Sequence, residues 1–305
     1  MKKNSLIIPA TLLSFNLFAQ KVDIKLHFNK GQEHSINTEI KSTMTQELMG
    51  QKMDIVSETS QKTIYKVVNE NKGNYTLESQ IIRIHQSTKA MGDNKEFNSD
   101  AENKDKDLNR VLYNITQEPF TITVNSKGEA LEVKTRENYW ENIFKDVEMP
   151  KGVNKDEIEA QFKASNGPEN VKASLSNLFG YIPPHPVAVN DEWEVNSTMK
   201  STISFNTKST YKLEAIHDDY YIISETTSLS TPEGEGKMEQ MGMEMQQDIK
   251  GTQKSTFKVE AKTGWIIEGE TIQDLKGALK ILPNSQIPNG MEIPLTGKTT
   301  IKYNN

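Results

Sequence analysis

The chain has no cysteine among its 305 residues. That absence excludes disulfides, Cys-ligated zinc, iron–sulfur clusters and thiol catalysis. Apolar residues are scarce. The hydrophobic fraction is 34%, and counting the 17 glycines in place of the 9 tyrosines raises it only to about 37%, below the ~45–50% of ordinary domains. Positive charge is not in excess: 36 Lys and Arg stand against 42 Asp and Glu, a net charge of −6. The basic footprint of a nucleic-acid binder is therefore missing. Beyond the first twenty residues no apolar run reaches the ~20 residues of a membrane helix. There is no Gly-rich phosphate loop and no Gly-x-Ser-x-Gly elbow, so no cofactor is expected. The core is lean, but the chain is not disordered by composition, because its charge is small for its length and its apolar residues recur with a regular period.

The N-terminus carries the most specific signal. Lys2 and Lys3 precede a mostly apolar run from Leu6 to Phe18, and Ala19 supplies a small residue before Gln20. This is the pattern of a secretory signal peptide cleaved at Ala19/Gln20. Leu17 at the −3 position is less usual than alanine, so the site of cleavage is less sharply specified than the leader. A buried N-terminal strand is the less favoured alternative. No cysteine follows the apolar run, so no lipidation site is expected. The mature protein is expected to be soluble, in the periplasm or outside the cell, with no transmembrane segment. Removing two lysines takes its charge from −6 to −8.

Residues 20–135 read as a β-rich half. Val22, Ile24, Leu26 and Phe28 alternate strictly, the period of a strand. Ser35–Glu47 is Thr/Ser-rich and reads as a solvated strand. Ile64–Val68 and Tyr75–Ile84 read as strands joined by a turn at Asn69–Asn74. The acid-rich stretch Asp93–Asp107 reads as a mobile, solvated loop.

One unit recurs. Lys62-Thr-Ile-Tyr-Lys-Val67 is matched by Lys208-Ser-Thr-Tyr-Lys-Leu213 and by Lys254-Ser-Thr-Phe-Lys-Val259, each followed by a polar turn and then Tyr75, Tyr220 or Trp265. The lead-in Met49-Gly50…Met53…Tyr65 has the spacing of Met241-Gly242…Met245…Phe257. Three such matches predict a repeated β-hairpin. Its aromatic and aliphatic residues should share one face and its lysines the other. A lone hairpin cannot bury its apolar face, so the copies should share a sheet or pack on something else.

A helical texture lies between. Leu108, Val111, Leu112 and Ile115 have helical spacing, and Phe120–Val124 with Ala130–Val133 form a hairpin. Tyr139/Trp140, Ile143/Phe144 and Val147 predict an amphipathic helix. Ile158/Phe162 and Val171/Leu175/Leu178 predict two more, the last with Pro168 in its first turn and Gly180 as its cap. The connector is 136–182, after which Pro183-Pro-His-Pro186 is a stiff linker. Residues 183–305 return to strands, with a Pro/Asn/Gly loop from Pro283 to Pro294.

The possible chemistry is thin. Met241, Met243 and Met245 alternate, so they share a face. They read first as core packing, next as an adaptable apolar cavity wall and last as a Cu(I) site. With Tyr65, Tyr211 and Phe257 they form the candidate apolar ligand face. Ser197-Thr-Met-Lys200, Ser204-Phe-Asn206 and Lys262-Thr-Gly264 match the short motifs of serine β-lactamases. Three residues between Lys200 and Ser204 are too few for the helical domain those enzymes place there, so the match is read as fortuitous. His27, His34, His85, His185 and His217 form no ligand spacing and read as solvated, although His27 and His34 can meet across a hairpin. Asn103–Asp107 starts like a calcium loop but has Leu108 and Asn114 at the positions that need Gly and Glu. No catalytic or metal-binding residue is assigned. Among 42 acids the sequence does not reveal which two converge.

Phe18-Ala-Gln at the leader's end, Lys30-Gly31-Gln32, Asn125-Ser-Lys-Gly128 after Phe-Thr-Ile-Thr-Val, Pro186-Val-Ala-Val-Asn-Asp-Glu-Trp193 and Lys262-Thr-Gly-Trp-Ile-Ile recur together elsewhere. On these motifs the chain resembles a family of uncharacterised secreted or lipid-anchored proteins of Gram-negative bacteria, known as a domain of unknown function. The resemblance spans nearly the whole mature chain and brings no catalytic residues. Many members are lipoproteins, and the missing cysteine means that anchoring does not carry over. More distantly, the pattern resembles periplasmic lipoprotein-carrier half-barrels, whose concave face binds acyl chains.

The expected fold is mainly β with a few helices: long antiparallel strands in a curved sheet or two half-barrels, with helices on the apolar face. The stripes Tyr139/Ile143/Val147 and Leu175/Leu178 should cover that face. The first functional expectation is a non-catalytic module binding a lipophilic small molecule in an apolar sheet cavity. The second is a structural protein of the cell envelope that recruits a protein partner through exposed sheet edges. The third is a hydrolase with paired carboxylates of raised pKa.

Overall fold

A computed structural model describes residues 20–48, 50–104, 108–149, 154–199, 205–232, 237–240, 243–285 and 287–305. The leader, Met241, Lys200, Ser204 and residues 105–107 of the rejected calcium loop lie outside the described residues.

The chain builds one antiparallel sheet. β1 (Glu33–Leu48), β2 (Gln51–Asn71) and β3 (Asn74–Ala90) form a meander. One half of β3 pairs with β4 (Asp93–Asn98) and the other with β5 (Phe120–Asn125), and β6 (Ala130–Lys134) lies outside β5. β7 (Glu192–Met199), β8 (Phe205–Ile216) and β9 (Tyr220–Ser230) form a second meander. β10 (Lys237–Gln240) folds onto the start of β11 (Met243–Glu260), which pairs with β9 and with β12 (Ile266–Ile281). β13 (Met291–Asn304) lies between β12 and β1, in register from Asn37↔Asn304 to Gln46↔Leu295. That pairing makes the two β halves one curved, unclosed sheet, with β6 and β7 at its edges.

The three sequence copies are hairpins, as the pattern predicts. Each carries a register shift at the end of its motif, at Val67/Asn69, Leu213/Ala215 and Lys258/Val259. A bulge there bends the strand and increases its twist. The β2–β3 turn places Lys72 and Gly73 at φ 51° and 79°, the two positive values that match a tight turn to twisted strands. Val67, Tyr211, Leu213, Phe257 and Val259 are buried on the inner face, while Lys66, Lys208 and Lys254 are exposed on the other.

Four expectations are corrected. Residues 22–28 are extended, with Ile24, Leu26 and Phe28 buried, but they join no ladder. Their backbone bonds instead run from Val22 to Val187, from Leu26 N to the Ser126 carbonyl and from His27 N to the Thr263 carbonyl. Asp93–Asn98 is an edge strand rather than a loop. β13 begins at Met291 and includes Pro294. Pro294 lies beyond the last β1–β13 pair, so β1 does not require the donor it lacks. The helix expected over 139–147 is one turn, α2 (Tyr139–Ile143), after which Asp146 has φ 55°. Asn114 donates to the carbonyls of Ile143 and Lys145, and Lys155 donates to that of Phe144, so these acceptors are satisfied without further helix.

Of the remaining helices, α1 (Asn109–Gln117) packs on β3, and α3 (Lys155–Asn166) starts at Asn154, whose side chain accepts from Asp156 N. α4 (Pro168–Leu178) packs against both β6 and β7, across the opening of the sheet. Leu175 and Leu178 join the main core, while Tyr139, Ile143 and Val147 join a second cluster with Ile81, Ile84 and Phe120. Among the described residues no helix is long and apolar enough to cross a membrane.

Candidate binding cavity

The inner face is not uniform along the strands. The end bearing the β2–β3, β8–β9 and β11–β12 turns is filled with rings. Trp265 lies 5.8 Å from Phe28, 4.9 Å from His34, 5.3 Å from Tyr65 and 5.9 Å from Phe179. Tyr181 donates to the Gly264 carbonyl at 2.7 Å. The turn that holds Gly264 also receives the N-terminal segment. Gly264 has φ 70°, and a Cβ there would strike the Lys25 carbonyl oxygen.

Next to this filled end the inward positions become polar. Trp193, Tyr211, Glu225, Ser255, Thr271 and Ile301 stand opposite one another across β7, β8, β9, β11, β12 and β13. The adjoining row is Val195, Ser209, Thr227, Gln253 and Gln273. Tyr211, Glu225, Thr271 and Ile301 of the first row and all five residues of the second line a cavity of about 280 Å³, together with Phe257, Leu229 and Tyr303. Ser174 and Leu178 of α4 bound it on the open side of the sheet.

Glu225 is its chemical centre, 6% exposed. Thr227 Oγ1 donates to Oε1 at 2.8 Å, and Ser255 Oγ (2.5 Å) and Gln253 Nε2 (3.1 Å) donate to Oε2. Tyr211 stands directly across the ladder from Glu225. Behind them Thr271 donates to Ser255 at 2.9 Å, and Ser209 shares a 2.6 Å bond with Thr227. Burial, and then the charge of Glu225, hold the Tyr211 hydroxyl far above its ordinary value and push that of Tyr303 up to about 12. Among the described residues no Lys, Arg or His forms an ion pair with Glu225, and no three His, Asp or Glu side chains converge as metal ligands. The carboxylate is a buried acceptor held by neutral donors, with seven apolar or aromatic residues in the same lining: Leu178, Val195, Tyr211, Leu229, Phe257, Ile301 and Tyr303.

Of the six residues proposed from sequence, Tyr211 and Phe257 line the cavity. Tyr65 is on the inner face of β2, in the ring cluster of the filled end, and burial pushes its hydroxyl up to about 12. Met245 is buried near the opposite end of β11 and pairs with Ile281. It is twelve residues from Phe257, roughly 40 Å along a strand. Met241 and the side chain of Met243 lie outside the described residues.

Sequence reasoning missed Glu225, Thr227, Ser209, Ser255 and Thr271. Their signal was parity: Glu225 and Thr227 sit at alternate positions between Ile223 and Leu229, both buried. The expectation of solvated histidines is corrected at His34, wedged between Phe28 and Trp265 with Nε2 buried and unbonded. Ser197 is mid-strand opposite Thr207 and shares a 2.9 Å hydroxyl bond with it; Lys200 and Ser204 of the lactamase-like motif lie outside the described residues.

A model of a family of unknown function (DUF6263) matches residues 72–266. No curated protein matches the chain. Among solved structures, an outer membrane channel from Pseudomonas putida F1 aligns over 91% of this chain and 97% of its own, with 6% identity and a TM-score of 0.27. The translocator domain of the autotransporter NalP from Neisseria meningitidis aligns over 92% and 90%, with 6% identity and a TM-score of 0.22. OpdQ from Pseudomonas aeruginosa aligns over 89% and 98%, with 8% identity and a TM-score of 0.22. Likenesses this loose carry no argument about function.

Proposed function

We propose that this chain, which belongs to the family of unknown function DUF6263, is an exported, non-catalytic module that holds a compact lipophilic ligand inside its open sheet. The cavity beneath α4 carries the proposal. It lies on the inner side of the sheet, α4 bounds it on the open side, and much of its wall is apolar. Its volume of about 280 Å³ stands at the lower limit of the ~300–1,000 Å³ of ligand pockets. That favours a compact molecule over a diacyl lipid. The leader pattern of Lys2, Lys3 and Leu6–Ala19 supports export.

Two features favour this reading over its rivals. Recruitment of a partner by strand addition needs free edges, and α4 packs on both β6 and β7, which leaves the short strands β4 and β10 as the edges that α4 does not meet. Hydrolysis by paired carboxylates needs two acids facing one substrate, and Glu225 is the one acid among the lining residues described. The test is native mass spectrometry, with organic extraction, of mature protein purified from a periplasm. A bound small molecule at stoichiometric amount is expected, and its loss is expected in Leu178→Trp, which fills the cavity. A bare mass from freshly purified wild type would overturn the reading.

A further inference from the structure

The polar half of the cavity narrows the ligand further. A carboxylate taken out of water is costly unless donors or a cation compensate it. Glu225 has donors but, among the described residues, no ion-pair partner. The field around Glu225 is therefore negative, and a carboxylate this far buried is screened less than one at the surface. Three rings, Tyr211, Phe257 and Tyr303, line the same space, and an aromatic ring attracts a cation that reaches its face. The hydroxyls of Thr227, Ser209 and Thr271 retain acceptor lone pairs.

A hard divalent cation does not fit this set, because calcium takes six to eight oxygens, several of them charged, and here one carboxylate stands among neutral hydroxyls. An alkyl anion would meet repulsion. An ammonium group fits: it carries one charge, has up to three donors, and can be followed by an apolar body lying against Leu178, Val195, Leu229 and Ile301.

We infer that the cavity selects a compact amphiphilic amine, with its ammonium on Glu225 and its apolar tail under α4. This rests on the proposed binding function and specifies the head group of its ligand. Glu225 would act as a specificity determinant, with no bond made or broken.

The test uses three probes of equal chain length, octylamine, 1-octanol and octanoate, titrated into mature protein at pH 7 by calorimetry. Octylamine is expected to bind at least tenfold more tightly than octanol, and octanoate more weakly than either. In Glu225→Gln the amine should lose its advantage over the alcohol. The wild-type ratio needs no variant, so poor folding of Glu225→Gln would leave the test intact. Equal binding of amine and alcohol by the wild type would overturn the inference and leave the binding function standing. So would amine binding that survives Glu225→Gln, which would be adventitious attraction to an acidic surface. Binding of none of the probes would overturn both.

Discussion

His34 sits where a charge is unwelcome. It faces Phe28 at 4.7 Å and Trp265 at 4.9 Å, and its Nε2 has no partner. Burial lowers its pKa from 6.5, against a smaller opposing pull from Glu260. The unfolded chain therefore binds more protons than the fold between pH 6.5 and the lowered value. Stability from this group is complete above about 6.5 and is lost as pH falls below it. Urea unfolding at pH 7.5 and 5.5 should show a larger loss for the wild type than for His34→Phe, and equal losses would refute the assignment. The tyrosines act at the other extreme. Tyr65, Tyr139 and Tyr303 are raised to about 12, so their contribution is present below pH 10 and is lost as pH rises past 10 toward 12. At this scale the sequence was legible by parity alone. His34 shares parity with buried Ile36, as Glu225 does with buried Ile223. Residue type argued for water in both cases, and which face of a strand is covered depends on partners far away in the chain.

At the scale of elements, the segment 22–28 and the turn that receives it form a lock. Ile24, Leu26 and Phe28 are at most 2% exposed, and full burial of such side chains contributes ~1.5–3 kcal/mol each. The segment is thus worth about 5–9 kcal/mol, comparable to the ~5–15 kcal/mol total stability of a domain, and a chain lacking residues 20–28 should fail to fold. Gly264→Ala is a milder test. It forces a side chain into a left-handed position, costing about 1–2 kcal/mol, and pushes its Cβ toward the Lys25 carbonyl. Limited proteolysis should then cut first near residues 20–30 in the variant. An unchanged digestion pattern would mean that the segment is held elsewhere. The alternation of Val22, Ile24, Leu26 and Phe28 was readable as extended chain with one buried face. That it joins no ladder was not, because period two reports side-chain environment and not hydrogen-bond partners. The motifs behind the family resemblance cluster here for structural reasons. Ser126 accepts from Leu26 N, a Cβ on Gly128 would sit 2.5 Å from Phe179 Cβ, and Trp193 donates to Gly180. They build the filled end and leave the cavity's acid unmarked.

At the scale of the whole molecule, the fold class and the repeat were legible because hairpins are local. The joining of both halves through β1 and β13 was not, since those strands pair across most of the chain length. The same pairing curves the sheet around its polar rows and places α4 over its opening, so the cavity is a product of topology rather than of any motif. The central claim is that this interior receives a ligand. Methyl NMR of mature protein titrated with 1-octanol tests it most directly. Shifts should concentrate at Leu178, Leu229 and Ile301, which line the cavity, and leave exposed Ile82 and Ile272 unmoved. Shifts centred on Ile82 or Ile272, or none at the cavity methyls, would contradict the account.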